Sequence, residues 1–435
     1  MRPTPPDQPI ESREQLIYLL TEAAELEHML TCSYLFAAFS LKARRDEGLL
    51  ADELEAVSRW QRDVTAIAVE EMLHLALVNN LLTAIGGPPH FERPNFPRAS
   101  RFYPSNFLIA LTPLDLETLQ HFVFIERPED RPEEDAPGFR EVSNAIAAAP
   151  AGLAPAEPPE HGLMPEVLPY TTVGSLYRGI EAGLRRLAAL LGEQRLFIGP
   201  ARHQVSSAHL HFRGLHAVTT LRSALNTIEM IVRQGEGPRG DLQDTHYRRF
   251  REIESEFQAF VRRRPGFSPA RPVLPNPASR VPEDGDGVNL LDDPHAIAAN
   301  DLFNAAYELM LLVLMRFFVH AGESAAEHDA LAEAAVTLMQ RVLRPLGGLL
   351  TTLPAGPSHP GMTAGPSFAV FPSTHALPHR RAAWAIFEER LQQIEAYTES
   401  LLEAGTGVDV LASVREDLRS LRSALEAAHR RERGL

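Results

Sequence analysis

Glu71 and His74 are the residues from which chemistry can first be argued. They lie three apart in WQRDVTAIAVEEMLHLALVNNLLTAIGG, residues 60–87. This proline-free stretch closes on Gly86-Gly87 with Pro88-Pro89 beyond, which predicts one long helix with a glycine stop. Trp60, Val64, Ile67, Glu71, His74, Val78, Leu81 and Ile85 follow in steps of four and three, so they share one helix face. The rest of that face is apolar, so Glu71 and His74 are expected inside a core. An unpartnered buried carboxylate costs on the order of several kcal/mol. A Glu-x-x-His pair on a core face is how bundle helices present ligands to a metal pair. The alternative is a buried Glu–His hydrogen bond, or a histidine capping a backbone carbonyl, and the rest of the chain must decide.

Three other predicted helices carry an acidic residue on an apolar stripe. In the helix at 12–44, Leu16, Leu20, Ala23, Glu27, Leu30 and Tyr34 step by four and three. Glu27 therefore faces inward, with Tyr34 two turns along and His28 one residue off the seam. A short charged link joins this helix to the one at 53–85. The antiparallel pair that results brings Glu27 level with Glu71 and His74. A third helix, at 214–234, places Glu229 on a stripe with Leu215, Val218, Arg222, Leu225 and Val232; Glu236 follows at its glycine-bounded end. A fourth, at 297–321, places Glu308 on a stripe with Asn304, Leu311, Met315 and Phe318, with an ion pair to Arg316 as the alternative.

Two divalent cations would make four buried carboxylates tolerable. A second imidazole is expected three residues after the third or fourth glutamate, but those positions hold Val232 and Leu311. His246, in THYRRF just past the glycine break and capped by Thr245 or Asp244, is the candidate replacement. The histidines at 203, 209, 211 and 216 are irregularly spaced and read as a polar loop lining.

The chain has 435 residues and is 44% hydrophobic, enough for a substantial core. Cys32 is its single cysteine, so an intramolecular disulfide and a cysteine-rich metal site are excluded. Carboxylate and imidazole ligands suit iron or manganese. A net charge of −15 argues against nucleic acid as the main partner. No run long enough to cross a bilayer is free of charge, and the N-terminus has no apolar signal region, which makes the cytoplasm the expectation. Residues 1–11 are rich in proline, as are residues 86–170 of the segment 86–212, in which Thr171 to Leu191 reads as an amphipathic helix. The segment 86–212 reads as an insertion over the bundle, with a short strand near 107–111, a helix in LDLETLQHFVFIERP and a solvated loop at 157–161. Residues 323–435 read as a C-terminal helical extension, and the Arg-, Glu- and Leu-rich last helix leaves a homodimer open.

ELEHMLTCSYLFAAFSLK followed by VEEMLHLALVNNLLTAIGG resembles the first two helices of the ferritin-like superfamily. IEMIVRQGEG, THYRRF, FNAAYELM and LRPLGGLLTTLPAG with TAGPSF narrow the likeness. They resemble ferritin-like proteins related to the imine-dimerising enzymes of bisindole pathways, of the iminophenyl-pyruvate dimer synthase type. The resemblance implies an all-α ferritin-like four-helix bundle with large loop insertions and extra C-terminal helices. Its implied metal ligands are Glu27, Glu71 and His74, with Glu229, His246 and Glu308 placed by seam position or segment. It further implies two iron ions, with manganese as the alternative, and an oxidoreductase that uses dioxygen or peroxide on a small organic substrate. Two alternatives stand beside it: coupling of imine or amino-acid-derived units, which would call for a pocket arginine such as Arg222, and metal binding without turnover.

Overall fold

The computed structural model describes residues 10–99, 108–148, 170–237, 244–280, 287–320, 322–372 and 374–433. The expected loop at 157–161 and most of the irregular start at 1–11 lie outside the described residues. The regular structure of the described residues is nearly all helical. In order come α1 (Arg13–Ser40), α2 (Ala51–Ala84), α3 (Leu116–Ile125), α4 (Pro137–Ala148), α5 (Val173–Leu191), α6 (Glu193–Leu196), α7 (Leu221–Gly235) and α8 (His246–Arg263). There follow α9 (Pro294–Val319), α10 (Ala325–Thr337), α11 (Arg344–Leu350), α12 (Arg380–Glu403) and α13 (Val408–Arg433). A π-helical turn, Leu338–Leu343, joins α10 to α11. Sheet structure among the described residues is limited to two short pairs: Arg98–Ala99 with Leu108–Ile109, antiparallel, and Pro277–Ala278 with Asn289–Leu290, parallel.

Local chemistry sets the helix boundaries. Ser12 caps α1 by accepting from Gln15 N at 3.1 Å. The Glu53 carboxylate accepts from Leu50 N at 2.8 Å and anchors the start of α2. Gly86, at φ 88°, turns the chain after α2 as the glycine stop predicts. Asp115, Thr172, Thr220, Thr245 and Asp293 cap α3, α5, α7, α8 and α9.

α1 and α2 form the expected pair and make the most extensive helix packing in the molecule. α8 packs on α2 and α3, and α5 packs on α1 and α7. Tyr34, Phe122 and Phe250 tie α1, α3 and α8 together, with ring centroids 4.7–5.2 Å apart. The fourth long helix, α9, meets α1 through Tyr307, which lies against His28 and Cys32. α9 packs on α10, α11 and α12, in the C-terminal group. α2 and α9 are long and apolar enough to cross a membrane by length and composition, but 72% and 89% of their most apolar windows are buried in the protein. Both are core helices here.

Candidate metal centre

α1 and α2 each deliver ligands from mid-helix. Glu27 comes from α1, and Glu71 and His74 come from one face of α2; all three are buried. The facing side is built at helix ends. Glu126 is the residue just past the last turn of α3, and His246 is the first residue of α8; both are buried. The five side chains form two triads that share Glu71. One is Glu27, Glu71 and His74; the other is Glu71, Glu126 and His246. Within each triad the ligand atoms lie within 4.8 Å of one another.

Glu71 bridges the triads. Its Oε2 accepts from His74 Nδ1 at 2.9 Å, and its Oε1 lies 2.9 Å from His246 Nδ1. Glu27 Oε2 is 3.5 Å from His74 Nδ1, and Glu126 Oε1 is 3.6 Å from His246 Nδ1. The outer nitrogens of both rings are tied off. His74 Nε2 donates to Gln234 Oε1 at 2.9 Å, and His246 Nε2 donates to Glu70 Oε2 at 2.7 Å. Arg249 holds Glu70 in turn at 2.8 Å. These partners fix both rings with Nδ1 turned inward, the usual role of outer partners at metal-binding histidines. The outer carboxylates are held by phenols: Tyr177 donates to Glu27 Oε1, and Tyr34 donates to Glu126 Oε1 at 2.5 Å.

The cluster is electrostatically strained without a cation. Burial, and then Glu71, pushes the Glu27 carboxyl up to about 8. Burial and Glu71 likewise raise Glu126. Burial works against protonation of His74, but Glu71 and Glu27 outweigh it and push the ring up to about 10. His246 is raised well above the ordinary imidazole value by Glu71 and Glu126, again against burial. Glu71, between two imidazoliums, is held well below the ordinary carboxylate value despite its burial. Protons thus hold together a set of groups that could ligate cations. One buried atom stands out: His246 Nδ1 faces Glu71 Oε1 at 2.9 Å and Glu126 Oε1 at 3.6 Å without a well-aligned hydrogen bond to either. An inward imidazole nitrogen so placed beside two carboxylates fits a metal ion better than it fits a closed hydrogen-bond network.

Of the six expected ligands, the structure brings Glu27, Glu71, His74 and His246 together. It does not bring in Glu229, which is exposed on α7. The stripe that pointed to it was phased from Leu215 and Val218, but α7 starts only at Leu221. The buried face of α7 is Ala224, Thr227, Ile228 and Ile231. Arg222 is exposed as well. Glu308 is buried on α9, away from the bundle ligands, where Arg390 Nη2 donates to it at 2.7 Å. The alternative partner, Arg316, instead pairs with Glu323 at 2.5 Å. Glu236 is buried, not exposed as a helix end would be. It accepts from Gly174 N at 2.7 Å and so anchors the start of α5, the helix that carries Tyr177.

Glu126, Glu70, Gln234 and Tyr177 were not foreseen. Glu126 did have a signal, since Leu119, Phe122 and Glu126 step by three and four along one face of α3.

A family model described as Ferritin-like matches residues 20–255, more than half of the chain. The chain belongs to the ferritin-like family. The ferritin-like match takes in all five clustered residues and ends within α8, before α9 begins. Dichlorochromopyrrolate synthase of Lentzea aerocolonigenes is 29% identical over 83% of this chain and 36% of that protein. The 2-imino-3-(indol-3-yl)propanoate dimerase of Chromobacterium violaceum is 31% identical over 82% of this chain and 34% of that protein. The chain therefore spans about a third of the length of the curated relatives it matches. A solved ferritin-like protein from Caulobacter vibrioides aligns with a TM-score of 0.45 at 21% identity, over 76% of this chain and 97% of that one.

Proposed function

We propose that this ferritin-like chain is a metal-dependent oxidoreductase that couples two molecules of an imino or 2-oxo acid derived from an aromatic amino acid. The observation that carries the metal half is the pair of buried triads sharing Glu71, with His246 Nδ1 facing two carboxylates without a well-aligned hydrogen bond. The substrate half draws on the two relatives, one a synthase of a chlorinated pyrrolate and one a dimerase of an indolyl imino acid, by their names. Three carboxylates and two imidazoles suit two divalent ions, iron first and manganese second. When bound, such ions would supply the redox capacity and open coordination positions for dioxygen.

The residues of the chain have separate tasks. Glu71 would bridge; Glu27 with His74, and Glu126 with His246, would complete the two positions. Gln234 and Glu70 hold the rings in the ligating tautomer, and Tyr177 and Tyr34 fix the outer carboxylates. Joining two substrate molecules by a carbon–carbon bond breaks one C–H bond in each. The two electrons and two protons released pass to dioxygen, which becomes hydrogen peroxide.

The test is an aerobic incubation of iron-loaded protein with indole-3-pyruvate and ammonium, followed by mass spectrometry and oxygen uptake. The expected product has the mass of two imino acids less two hydrogens. A product that has gained oxygen without dimerising would favour the broader oxygenase reading. Iron bound with no oxygen uptake would leave metal binding alone and sink the coupling reaction.

A further inference from the structure

His28 and Cys32 lie one turn apart on α1, on a face about 100° round the helix from Glu27. They border a second buried polar cluster, between α1, α9, the segment 91–97 and the strap 366–370. At its centre is Arg93, which is 4% exposed. Its Nη1 donates to the Pro94 carbonyl at 2.9 Å, and its Nη2 donates to Tyr307 Oη at 3.1 Å and to the Phe368 carbonyl. Its Nε makes no hydrogen bond. The guanidinium lies 4.5 Å from the Phe96 ring centroid and 5.5 Å from that of Tyr307.

No carboxylate among the described residues pairs with this charge. The two neighbours that could ionise are the Tyr307 hydroxyl and the Cys32 thiol, and burial raises both, so both stay neutral. His28 is neutral too: burial and then Arg93 hold it well below the ordinary imidazole value. Its Nε2 is 2.5 Å from Tyr307 Oη. A buried guanidinium normally meets an acid, because desolvation of a lone charge is costly.

The guanidinium presents a defined edge. Nε and Nη2 form the lateral edge of a guanidinium, the edge that grips a carboxylate through two parallel N–H···O bonds. Here Nε makes no hydrogen bond, Nη2 holds the Tyr307 hydroxyl and a main-chain carbonyl, and the neutral Cys32 thiol lies beside the guanidinium. That carbonyl belongs to Phe368, whose φ of 48° is in the left-handed region, strained for a bulky residue. The strap is pinned on either side. Ser367 N donates to Asn300 Oδ1 at 3.0 Å and Ala369 N to Asn304 Oδ1 at 3.0 Å. A turn of the Phe368–Ala369 peptide would clear the edge in exchange for the bond from Ala369 N to Asn304. The surroundings are aromatic: the Phe368 ring lies edge-on to Phe303 at 5.0 Å and to Tyr307 at 5.4 Å.

We propose that Arg93 is the anchor for the carboxylate of an aromatic acid, which replaces the Phe368 carbonyl on the Nε–Nη2 edge and sets its ring among Phe96, Phe303 and Phe368. The choice of an aromatic 2-oxo or imino acid rests on the coupling reading above, while the anion site rests on Arg93 itself.

The test is calorimetric binding of phenylpyruvate and of its uncharged methyl ester to the full chain, metal-loaded and metal-free. The acid is expected to bind both forms, and the ester at least tenfold more weakly. Arg93→Lys keeps the charge but loses the two-pronged edge, so it should weaken the acid at least tenfold with metal content unchanged. Amides 367–370 should lose hydrogen-exchange protection when the acid binds to wild type, a readout that needs no variant. Equal affinity for acid and ester overturns the proposal, as does undiminished binding by Arg93→Lys or no binding of the acid at all. Binding confined to the metal-loaded form and abolished by Glu71→Ala would move the carboxylate to the metals and overturn it while sparing the coupling reaction. Binding through Arg93 with no dimer formed from indole-3-pyruvate would do the reverse.

Discussion

The two halves of the candidate metal centre offer the same kinds of group on different foundations. Glu27 and His74 stand inside the two longest helices of the bundle, α1 and α2, which pack on each other more extensively than any other pair. Glu126 and His246 stand at the end of one short helix and the start of another. A mid-helix ligand inherits the rigidity of its helix. A terminal ligand depends on a cap and on its outer hydrogen bonds. The first half should therefore bind the tighter ion and the second the more exchangeable one.

The largest test removes what the halves share. Glu71→Ala deletes the bridge, and we expect both ions to be lost, from two per chain to none, by elemental analysis of protein loaded with ferrous iron. If one ion stays at full affinity, Glu71 does not bridge. Next in size is a pair of variants that separates the halves. His246→Ala should leave one tight ion and abolish the second, whereas His74→Ala should weaken both, because the rigid half also positions Glu71. Titration with cobalt, followed by its visible absorption, reads the two steps. Equal and independent losses in the two variants would remove the contrast.

The same contrast explains what could be read from the sequence. Glu27, Glu71 and His74 were legible because long uninterrupted helices preserve the phase of their stripes over many turns. The glycine break before THYRRF and the capping Thr245 pointed to His246 even though no stripe did. Glu229 failed because its stripe was extended backwards through residues 214–220, which are loop, and a shift of one residue turns a helical side chain by about 100°. Glu308 failed for another reason. Its burial was foreseen, but a buried carboxylate is equally content with an arginine, and the partner, Arg390, comes from 82 residues further along. Glu126 was hidden by context: α3 lies inside a proline-rich insertion, and a ligand at a helix end has too few turns around it to display a period.

A smaller effect is expected from pH. Glu27 is raised to about 8 and His74 to about 10 in the metal-free protein. A group raised on folding stabilises the fold fully below its unfolded value, and that contribution is lost as pH rises through its folded value. The contribution of Glu27 should fade from about 4.5 to about 8, and that of His74 from about 6.5 to about 10. The thermal midpoint of the metal-free protein should thus fall between pH 6 and 9. Cations take the place of these protons, so the loaded protein should hold its midpoint over the same range, and metal affinity should rise with pH as protons are released. Parallel pH profiles with and without metal would mean that the cluster is a proton-stabilised network and not a ligand set.

The smallest effect is the most specific to the weaker half. The Thr245 side chain accepts from Arg248 N at 3.1 Å and so fixes the first turn of α8, on which His246 is the first residue. Thr245→Ala should cost about 1 kcal/mol of stability, as the loss of a helix cap does. It should also weaken the second ion severalfold by loosening the His246 ring, although Glu70 still holds its Nε2. The first ion should be unaffected, since α1 and α2 do not depend on that cap. Cobalt titration beside thermal unfolding distinguishes the outcomes. A stability loss with both ions equally weakened would mean that the two halves move as one body, and that the difference between mid-helix and helix-end ligands has no energetic expression in this protein.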